Sequence, residues 1–444
     1  MDAREVALLT LNACERQGGW SDGVLKKQIA AAGLDSRDAG LATQLCFGVI
    51  QNRILLDFYL SKFSNIPLRR LEGKVLQALR LGLYQMLFLT RIPHSAAVDQ
   101  SVALTRAHCK NPRAPGMVNA ILRNLERSLD RLPTIPEDDP AEYYATLYSH
   151  PVWLVRELLE TLGSEGTAAF LQADNSQPPI TAMVNTVKTD LEGALEALQA
   201  EGVHGEPHPW LKNCLVLSRS GSLEELDAFQ NGLFYVQDPA SRLAVLALDP
   251  EPGDRVLDMC AAPGGKSFAA AIQMRDQGEI WSCDLHPHKK ALIQKGAKRL
   301  GLTCIRPQTA DGKARRPEWE GAFDRVLVDA PCSGLGVIRK KPDIRFKDPE
   351  PLAGLPQVQS AILDNAAGYV KPGGVMVYST CTILERENRA VTDAFLAAHP
   401  EFRRESFLLP GPAGEVSGGQ ITLWPQVHGT DGFYICKLRK DGEA

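Results

Sequence analysis

The spacing of apolar residues changes part-way along this chain, and that change limits the folds open to it. From about residue 4 to 132 they recur at three and four, as in Val75, Leu76, Leu79, Leu83 and Leu87, and again in Val118, Ile121, Leu122 and Leu125. That spacing lays a stripe along one face of a helix, so this part is expected to hold six or seven helices and no sheet. Breaks fall at Gly18-Gly19, Gly33, Asn65-Ile66-Pro67, Ile92-Pro93 and 111–116. The second half instead alternates short β-branched runs, at 255–259, 278–283, 304–307, 323–328 and 374–379, with helical stretches at 266–274, 288–300 and 358–370. Strand and helix in alternation specify a doubly wound, Rossmann-like parallel sheet. Two last runs, 420–424 and 432–437, read as an antiparallel edge hairpin.

Between these halves a Pro- and acid-rich cluster at 132–140 marks a linker, and 151–171 looks helical. A strand-like run at 180–187, a helix at 190–201 and an apolar run at 214–217 suggest a small α+β module of a kind that often grips RNA. A spacer bracing the next domain is the other reading. At 444 residues and 44% hydrophobic side chains the chain exceeds one compact core. The expected domains are helical 1–135, linker helices 136–177, the α+β module 178–230 and the α/β domain 231–444.

A net charge of -4 excludes a uniformly basic coat, so contact with nucleic acid would come from local patches. Candidates are Arg69-Arg70, 106–113, Arg123 with Arg127, and Arg339-Lys340-Lys341 with Arg345 and Lys347; a solvated face is the plainer reading of each. The ten cysteines form no C-x-x-C pair, which suits reduced thiols rather than a disulfide scaffold. No signal-like start or bilayer-length apolar stretch is present, so a cytoplasmic protein is expected. His204 with His208, and His286 with His288, lack matching Cys or acidic neighbours, and no metal is expected.

In a doubly wound sheet ligands sit beyond the carboxyl ends of the strands. The first strand there runs into Cys260-Ala261-Ala262-Pro263-Gly264-Gly265-Lys266, small residues whose backbone lets a cofactor lie close. It has neither the dinucleotide nor the phosphate-loop glycine spacing. Asp284 after the second strand suits a ribose diol, and Asp311 after the third suits an adenine amino group. Together they outline an adenosine pocket without a phosphate cradle, which favours a cofactor with a sulfonium tail. The fourth and fifth strands close on Asp329-Ala330-Pro331-Cys332-Ser333 and Ser379-Thr380-Cys381. As neighbouring strands they would bring both thiols to one pocket, and a helix from about Glu385 would help to hold a thiolate. Two thiols suit methylation of cytosine at carbon 5: one adds to carbon 6 and activates carbon 5, and a second group assists release. Cys14, Cys46, Cys109, Cys214 and Cys436 read as inert filler.

The runs 260–266, 329–333 and 379–381 resemble those of the Nop2/Sun RNA cytosine-5 methyltransferases, with Val236-Gln237-Asp238, Lys341-Pro342-Asp343-Ile344 and Asp431-Gly432-Phe433 as further landmarks. The helical part, especially Val118-Asn119-Ala120-Ile121-Leu122-Arg123, is similar to the NusB RNA-binding fold, and the two parts together resemble bacterial 16S ribosomal RNA enzymes of that group. The resemblance implies Cys381 as nucleophile and Cys332 for release. It also implies S-adenosylmethionine held by 260–266, Asp284, Asp311 and Asp329, with Asp329 and Lys266 near the cytosine, and unassembled 16S rRNA as partner. No protein partner is expected. Transfer RNA or another RNA as substrate, and a silent RNA-binding scaffold, are the alternatives. The chain departs from the group's pattern at Met183, where relatives carry Arg, and at Leu384-Glu385-Arg386-Glu387-Asn388, where they read Leu-Pro-Glu-Glu-Asn.

Overall fold

Between Ala3 and Glu126 the computed structural model forms seven α-helices among the residues it describes, which are 1–17, 20–218 and 222–442. The expected break at Gly18-Gly19 lies outside them. Helix Gly73–Phe88 buries Val75 through Met86 without interruption, Gln77, Arg80 and Gln85 included, so it is covered on all sides as a helix at the centre of a bundle is. Neighbours come close because two glycines omit a side chain. A Cβ on Gly82 would lie 2.6 Å from Leu122, and one on Gly48 would lie 2.0 Å from the Tyr84 ring.

The chain divides into two compact units, Met1–Ser176 with Lys340–Lys347, and Gln177–Arg339 with Asp348–Ala444. Helices Pro140–Leu147 and Val152–Asp174, the second kinked at Gly163, lie where linker helices are expected and cluster with the helical unit. The segment Lys340–Lys347 is also part of that unit, and it corrects the reading of a basic patch. Arg345 is 1% exposed; its Nη1 donates to the carbonyls of Gln51 and Ser149 at 2.6 and 2.9 Å and its Nη2 to Asn175 Oδ1 at 3.1 Å. Phe346 lies under the Arg53 guanidinium, 3.4 Å from ring centre. Arg345 is therefore neither a solvated cation nor a phosphate ligand.

In the second unit, β1 (Ile180–Val184), β2 (His204–Pro207), β3 (Cys214–Ser218) and β4 (Phe234–Val236) form an antiparallel sheet in the order β2-β3-β1-β4. Asp190 caps the helix Leu191–Ala200 by accepting from Gly193 N. β2 and β4 were not anticipated. The His-Gly-Glu-Pro run of β2 is exposed on three of its four residues and carries no apolar alternation, and β4 has three residues and lies beyond position 230.

The larger sheet contains β5 (Arg255–Asp258), β6 (Glu279–Asp284), β7 (Ile305–Thr309), β8 (Phe323–Asp329), β9 (Val370–Thr380) and β10 (Phe402–Arg404). A separate pair, β11 (Phe407–Leu408) and β12 (Glu415–Val416), precedes β13 (Gln420–Leu423) and β14 (Phe433–Lys440). The order is β10-β14-β9-β8-β5-β6-β7, with β13 also paired to β14. β5 to β9 are parallel, and β14 joins β9 antiparallel with β13 beside it as the edge hairpin. The chain winds outward from β5 through β6 to β7, then returns to the other flank of β5 as β8. That reversal opens a crevice between the loops after β5 and β8.

Candidate active site

Register places the two thiol-bearing loops. β8 and β9 pair Asp329 with Ser379, so Cys332 and Cys381 leave adjacent strand ends a few residues on. Their sulfurs lie 3.3 Å apart, and all ten cysteines are free thiols. The Cys332 hydrogen bond holds the Cys381 thiol below its ordinary value against the effect of burial, with Asp329 and Asp431 opposing and Lys266 helping. The same hydrogen bond, with burial, pushes Cys332 well above its ordinary value. The two thiols are therefore unequal, Cys381 the more acidic and Cys332 the one that keeps its proton more firmly.

Beside the thiols, Lys266 Nζ donates to Asp329 Oδ2 at 2.7 Å and Ser379 Oγ donates to Asp329 Oδ1 at 2.8 Å. Burial works against the Lys266 charge, but the adjacent Asp329 more than offsets it and the net shift is upward. Lys266 also sits 5.0 Å from the centre of the Phe433 ring, at the start of β14, within reach of a cation–π contact. Asp329 thus has both carboxylate oxygens engaged and its orientation set.

Lys266 is placed by the loop after β5. Ala261 N donates to the Cys283 carbonyl at 2.7 Å, Gly264 N donates to Ala261 O at 2.7 Å, and the Ala262-Pro263 peptide is cis. Gly264 adopts φ 114°, and a Cβ there would lie 2.4 Å from the Phe268 ring, so glycine is required on both counts. Helix Gly265–Gln273 starts at once and carries Lys266 in its first turn. Beneath it, Ser282 Oγ donates to Ser267 Oγ and Ser267 Oγ to Asp258 Oδ2, both at 2.7 Å. Asp258 Oδ1 is buried with no partner, and burial pushes this carboxyl up to about 7.

A buried polar frame that local sequence patterns did not reveal holds the thiol loops. Glu387 Oε2 accepts from Ser333 N and from Gln359 Nε2, each at 2.9 Å, and Gln359 Nε2 also donates to the Pro331 carbonyl. Asn388 Nδ2 donates to the Thr382 carbonyl and its Oδ1 accepts from Thr380 Oγ1. Glu387 and Asn388 come from the stretch that departs from the group's pattern, and both retain anchoring roles. The expected helix from Glu385 is instead a single 3-10 turn, Glu385–Glu387, with an α-helix only from Arg389. Support for a Cys381 thiolate comes from Cys332 and Lys266 rather than from a helix terminus.

Arg339 is the second correction to the basic-patch reading. It is almost fully buried, its Nε donates to Asp431 Oδ1 at 2.8 Å and its Nη2 to Asp238 Oδ2 at 3.4 Å. This ties the Val236-Gln237-Asp238 landmark to Asp431-Gly432-Phe433. Close by, Gly432 N donates to Gly336 O, Gly336 N donates to the Cys381 carbonyl, and a Cβ on Gly336 would overlap Gly432 at 1.8 Å. The residue expectations thus meet at one strand edge, with differences in degree. Cys260 sits in the loop, its thiol pushed up by burial. Asp284 is buried, its Oδ1 accepts from His286 N at 3.1 Å, and its Oδ2 lies 3.7 Å from Lys289 Nζ. Asp311 is exposed and accepts from Lys313 N. An adenosine-bearing cofactor fits this donor set: a glycine-bent loop entering a helix N-terminus, and a buried carboxylate at the end of the next strand. Among the described residues no cluster of ligands could hold a metal ion, and no helix is long and apolar enough to cross a membrane.

A family model described as 16S rRNA methyltransferase RsmB/F matches residues 245–439, one described as the NusB family matches 1–127, and an RsmF/B-like ferredoxin-like domain model matches 150–224. "Probable ribosomal RNA small subunit methyltransferase B" of Bacillus subtilis (strain 168) is 40% identical, with 99% of each chain covered. "Ribosomal RNA small subunit methyltransferase B" of Klebsiella pneumoniae is 34% identical over 92% of this chain and 91% of that one. Among solved structures, the one titled PH0851 aligns over 99% of both chains at TM-score 0.81 and 26% identity. NSun6 from Pyrococcus horikoshii, solved with SFG, aligns over 67% of this chain and 100% of that one at TM-score 0.58 and 22% identity.

Proposed function

The chain belongs to the RsmB/F family of 16S ribosomal RNA methyltransferases, and from that premise we propose that it methylates carbon 5 of a cytosine in 16S rRNA, in the cytoplasm and before assembly buries the site, through a transient bond between Cys381 and the base. The observation that carries this reading is the pair of sulfurs 3.3 Å apart, one thiol shifted down and the other up by their mutual hydrogen bond.

S-adenosylmethionine is the methyl donor, and its sulfonium supplies an electrophilic methyl group. The residues that would hold it are 260–266, Asp284, Asp311 and Asp329. The target base is unstacked and turned into the pocket. Cys381 Sγ, already the acidic member of the pair, forms a bond to carbon 6; the displaced π electrons make carbon 5 nucleophilic. As the enamine forms the ring nitrogen takes up a proton from solvent, and Asp329, steadied by Lys266 and Ser379, accepts a hydrogen bond from that N–H. Once Cys381 is a thioether, the negative charge that kept the proton on Cys332 is gone, and Cys332 can give that proton up to solvent. As a thiolate it then takes the proton from methylated carbon 5. The electron pair of that C–H bond restores the ring double bond, and the S–C6 bond breaks to return Cys381 as thiolate.

RNA would be gripped through the exposed cations of the helical unit. Arg69, Arg70, Arg106, Lys110 and Arg113 are exposed, and Lys110 N donates to the Glu72 carboxylate, which brings the 69–72 and 106–113 segments together. Binding of this kind weakens as salt rises. The test is the Cys332→Ala variant incubated with 16S rRNA and donor: a denaturation-resistant protein–RNA band is expected, and normal turnover would overturn the two-thiol assignment. Bisulfite sequencing of rRNA from cells with and without the gene should locate one cytosine; an unchanged pattern would redirect the reading to another RNA.

A further inference from the structure

Apart from the thiol site, the second unit has a half-open cavity of about 480 Å³, within the size range of small-molecule sites. Its walls include Met183 on β1, Tyr235 on β4, Leu246 on helix Pro239–Leu248 and Ile272 on helix Gly265–Gln273. Its charged residues are all positive: Lys212, Arg242 and Arg275 line it, and no carboxylate does. Among the described residues none of these three cations is in an ion pair. Arg242 is the informative one. Its guanidinium donates to the Ala269 carbonyl at 3.3 Å, and burial opposes its charge without an acidic partner to compensate. A cation in such a setting is poorly satisfied until an anion arrives. The apolar and aromatic walls call for an anion that carries a flat, weakly polar body.

Two helices connect this cavity to the thiol site. Ser241, next to Arg242, has its hydroxyl 3.4 Å from Lys266 Nζ. Lys266 and Ala269 are three positions apart on one helix, about 4.5 Å along its axis. We propose that this cavity is a subsite for a nucleoside 5′-phosphate, a nucleotide of the RNA flanking the methylated cytosine, with its phosphate met by Arg242, Lys212 and Arg275 and its base against Tyr235 and the apolar walls. The proposal rests on the RNA methyltransferase reading and adds to it a second point of nucleotide recognition in the same unit. Stacking on an aromatic face is tolerant of base identity, so the subsite sets the strand's path rather than its sequence.

The experiment uses the full-length enzyme, S-adenosylmethionine and a 16S rRNA fragment containing the target. Lys212→Ala/Arg275→Ala changes two exposed side chains; it is expected to raise KM for RNA about tenfold with kcat and KM for the donor unchanged. The slope of log K against log salt should fall by roughly 0.7 for each phosphate that is no longer neutralised. Leu246→Trp, which fills the cavity and leaves every charge in place, should raise KM for RNA without altering that slope. Unchanged KM and slope in both variants would overturn the subsite. Calorimetry with cytidine and adenosine 5′-monophosphates separates the two sources of this chemistry. Tight binding of a free nucleotide that the double variant loses, with RNA kinetics unaffected, would assign the cavity to a small effector and overturn the RNA subsite. Because 5-methylcytosine formation by the wild-type enzyme is scored in the same assay, failure of the activity reading shows as absent product, whereas failure of the subsite leaves product intact.

Discussion

Buried charge is treated differently at Arg80 in the helical unit and at the carboxyl edge of the larger sheet, and the difference separates scaffolding from chemistry. In the helical unit Arg80, 4% exposed, has all three nitrogens engaged: Nε and Nη2 donate to the two oxygens of Asp57 at 2.7 Å, and Nη1 reaches Glu15 at 3.2 Å. Asp57 and Glu15 are partly solvated, so the ions are neutralised with limited loss of hydration. At the carboxyl edge of the larger sheet satisfaction is incomplete. Asp258 Oδ1 has no partner, and two thiols have each other as hydrogen-bond partners. Groups held in poor solvation titrate far from their ordinary range and are ready to react.

The largest expected contrast is kinetic. Cys381→Ala should lower methyl transfer by about 10⁴-fold or more, as loss of a nucleophile does, without moving the thermal transitions, because the partly exposed sulfur it removes holds little of the core. A variant that both unfolds and loses activity would erase the distinction drawn here. The reciprocal change lies in the helical unit. Arg345→Ala removes three charge-assisted hydrogen bonds and is expected to cost roughly 4 kcal/mol, read by calorimetry as a lowered transition, while iodoacetamide labelling of Cys381 before that transition is unaltered. An unshifted transition would mean that Lys340–Lys347 contributes nothing to the helical unit.

Asp258 tests the other side. With its folded value near 7 against an ordinary 3.8, the folded state binds more protons than the unfolded chain between those values. Stability from this group therefore falls as pH rises through that window and stays lower above it. Asp258→Asn keeps an acceptor for Ser267 and should stabilise the protein at pH 8 by up to roughly 3 kcal/mol, with little gain at pH 4. Urea denaturation at the two values reads the difference, and equal gains at both would show that ionisation is not the cause.

Which parts were legible in the sequence follows the same divide. The seven helices and five parallel strands repeat their apolar residues at short range, so their existence could be read from spacing alone. The thiol pair was legible because each Cys closes a strand beside a Pro or Thr marker and neighbouring strands bring their ends together. Long-range partner choice carries no local signature. Arg339 and Arg345 sit in a run of like charge that resembles a surface patch, and only folding reveals that Asp431, Gln51 and Ser149 wait for them. Glu387 and Gln359 lie 28 positions apart and meet under the Cys332 loop for the same reason. The 3-10 turn at Glu385 replaced the expected helix start because Glu387 and Asn388 are drawn inward to brace the thiol loops, and the α-helix begins after them.

The smallest expected effect asks how the sulfur pair achieves its asymmetry. In the wild-type protein the Cys332 hydrogen bond is the leading influence that lowers Cys381, ahead of Lys266, while burial and two carboxylates oppose them. Cys332→Ala removes that donor, so burial prevails and the ascending limb of Cys381 alkylation by iodoacetamide should move to higher pH, slowing the reaction at neutral pH. Cys332→Ser keeps an O–H donor and should restore part of the loss. Lys266→Met removes the lesser influence and frees Asp329, and its limb should move upward by less than that of Cys332→Ala. If instead Lys266→Met produced the greater displacement, the thiolate would be held by the Lys266 charge, and Cys332 would be left with release alone.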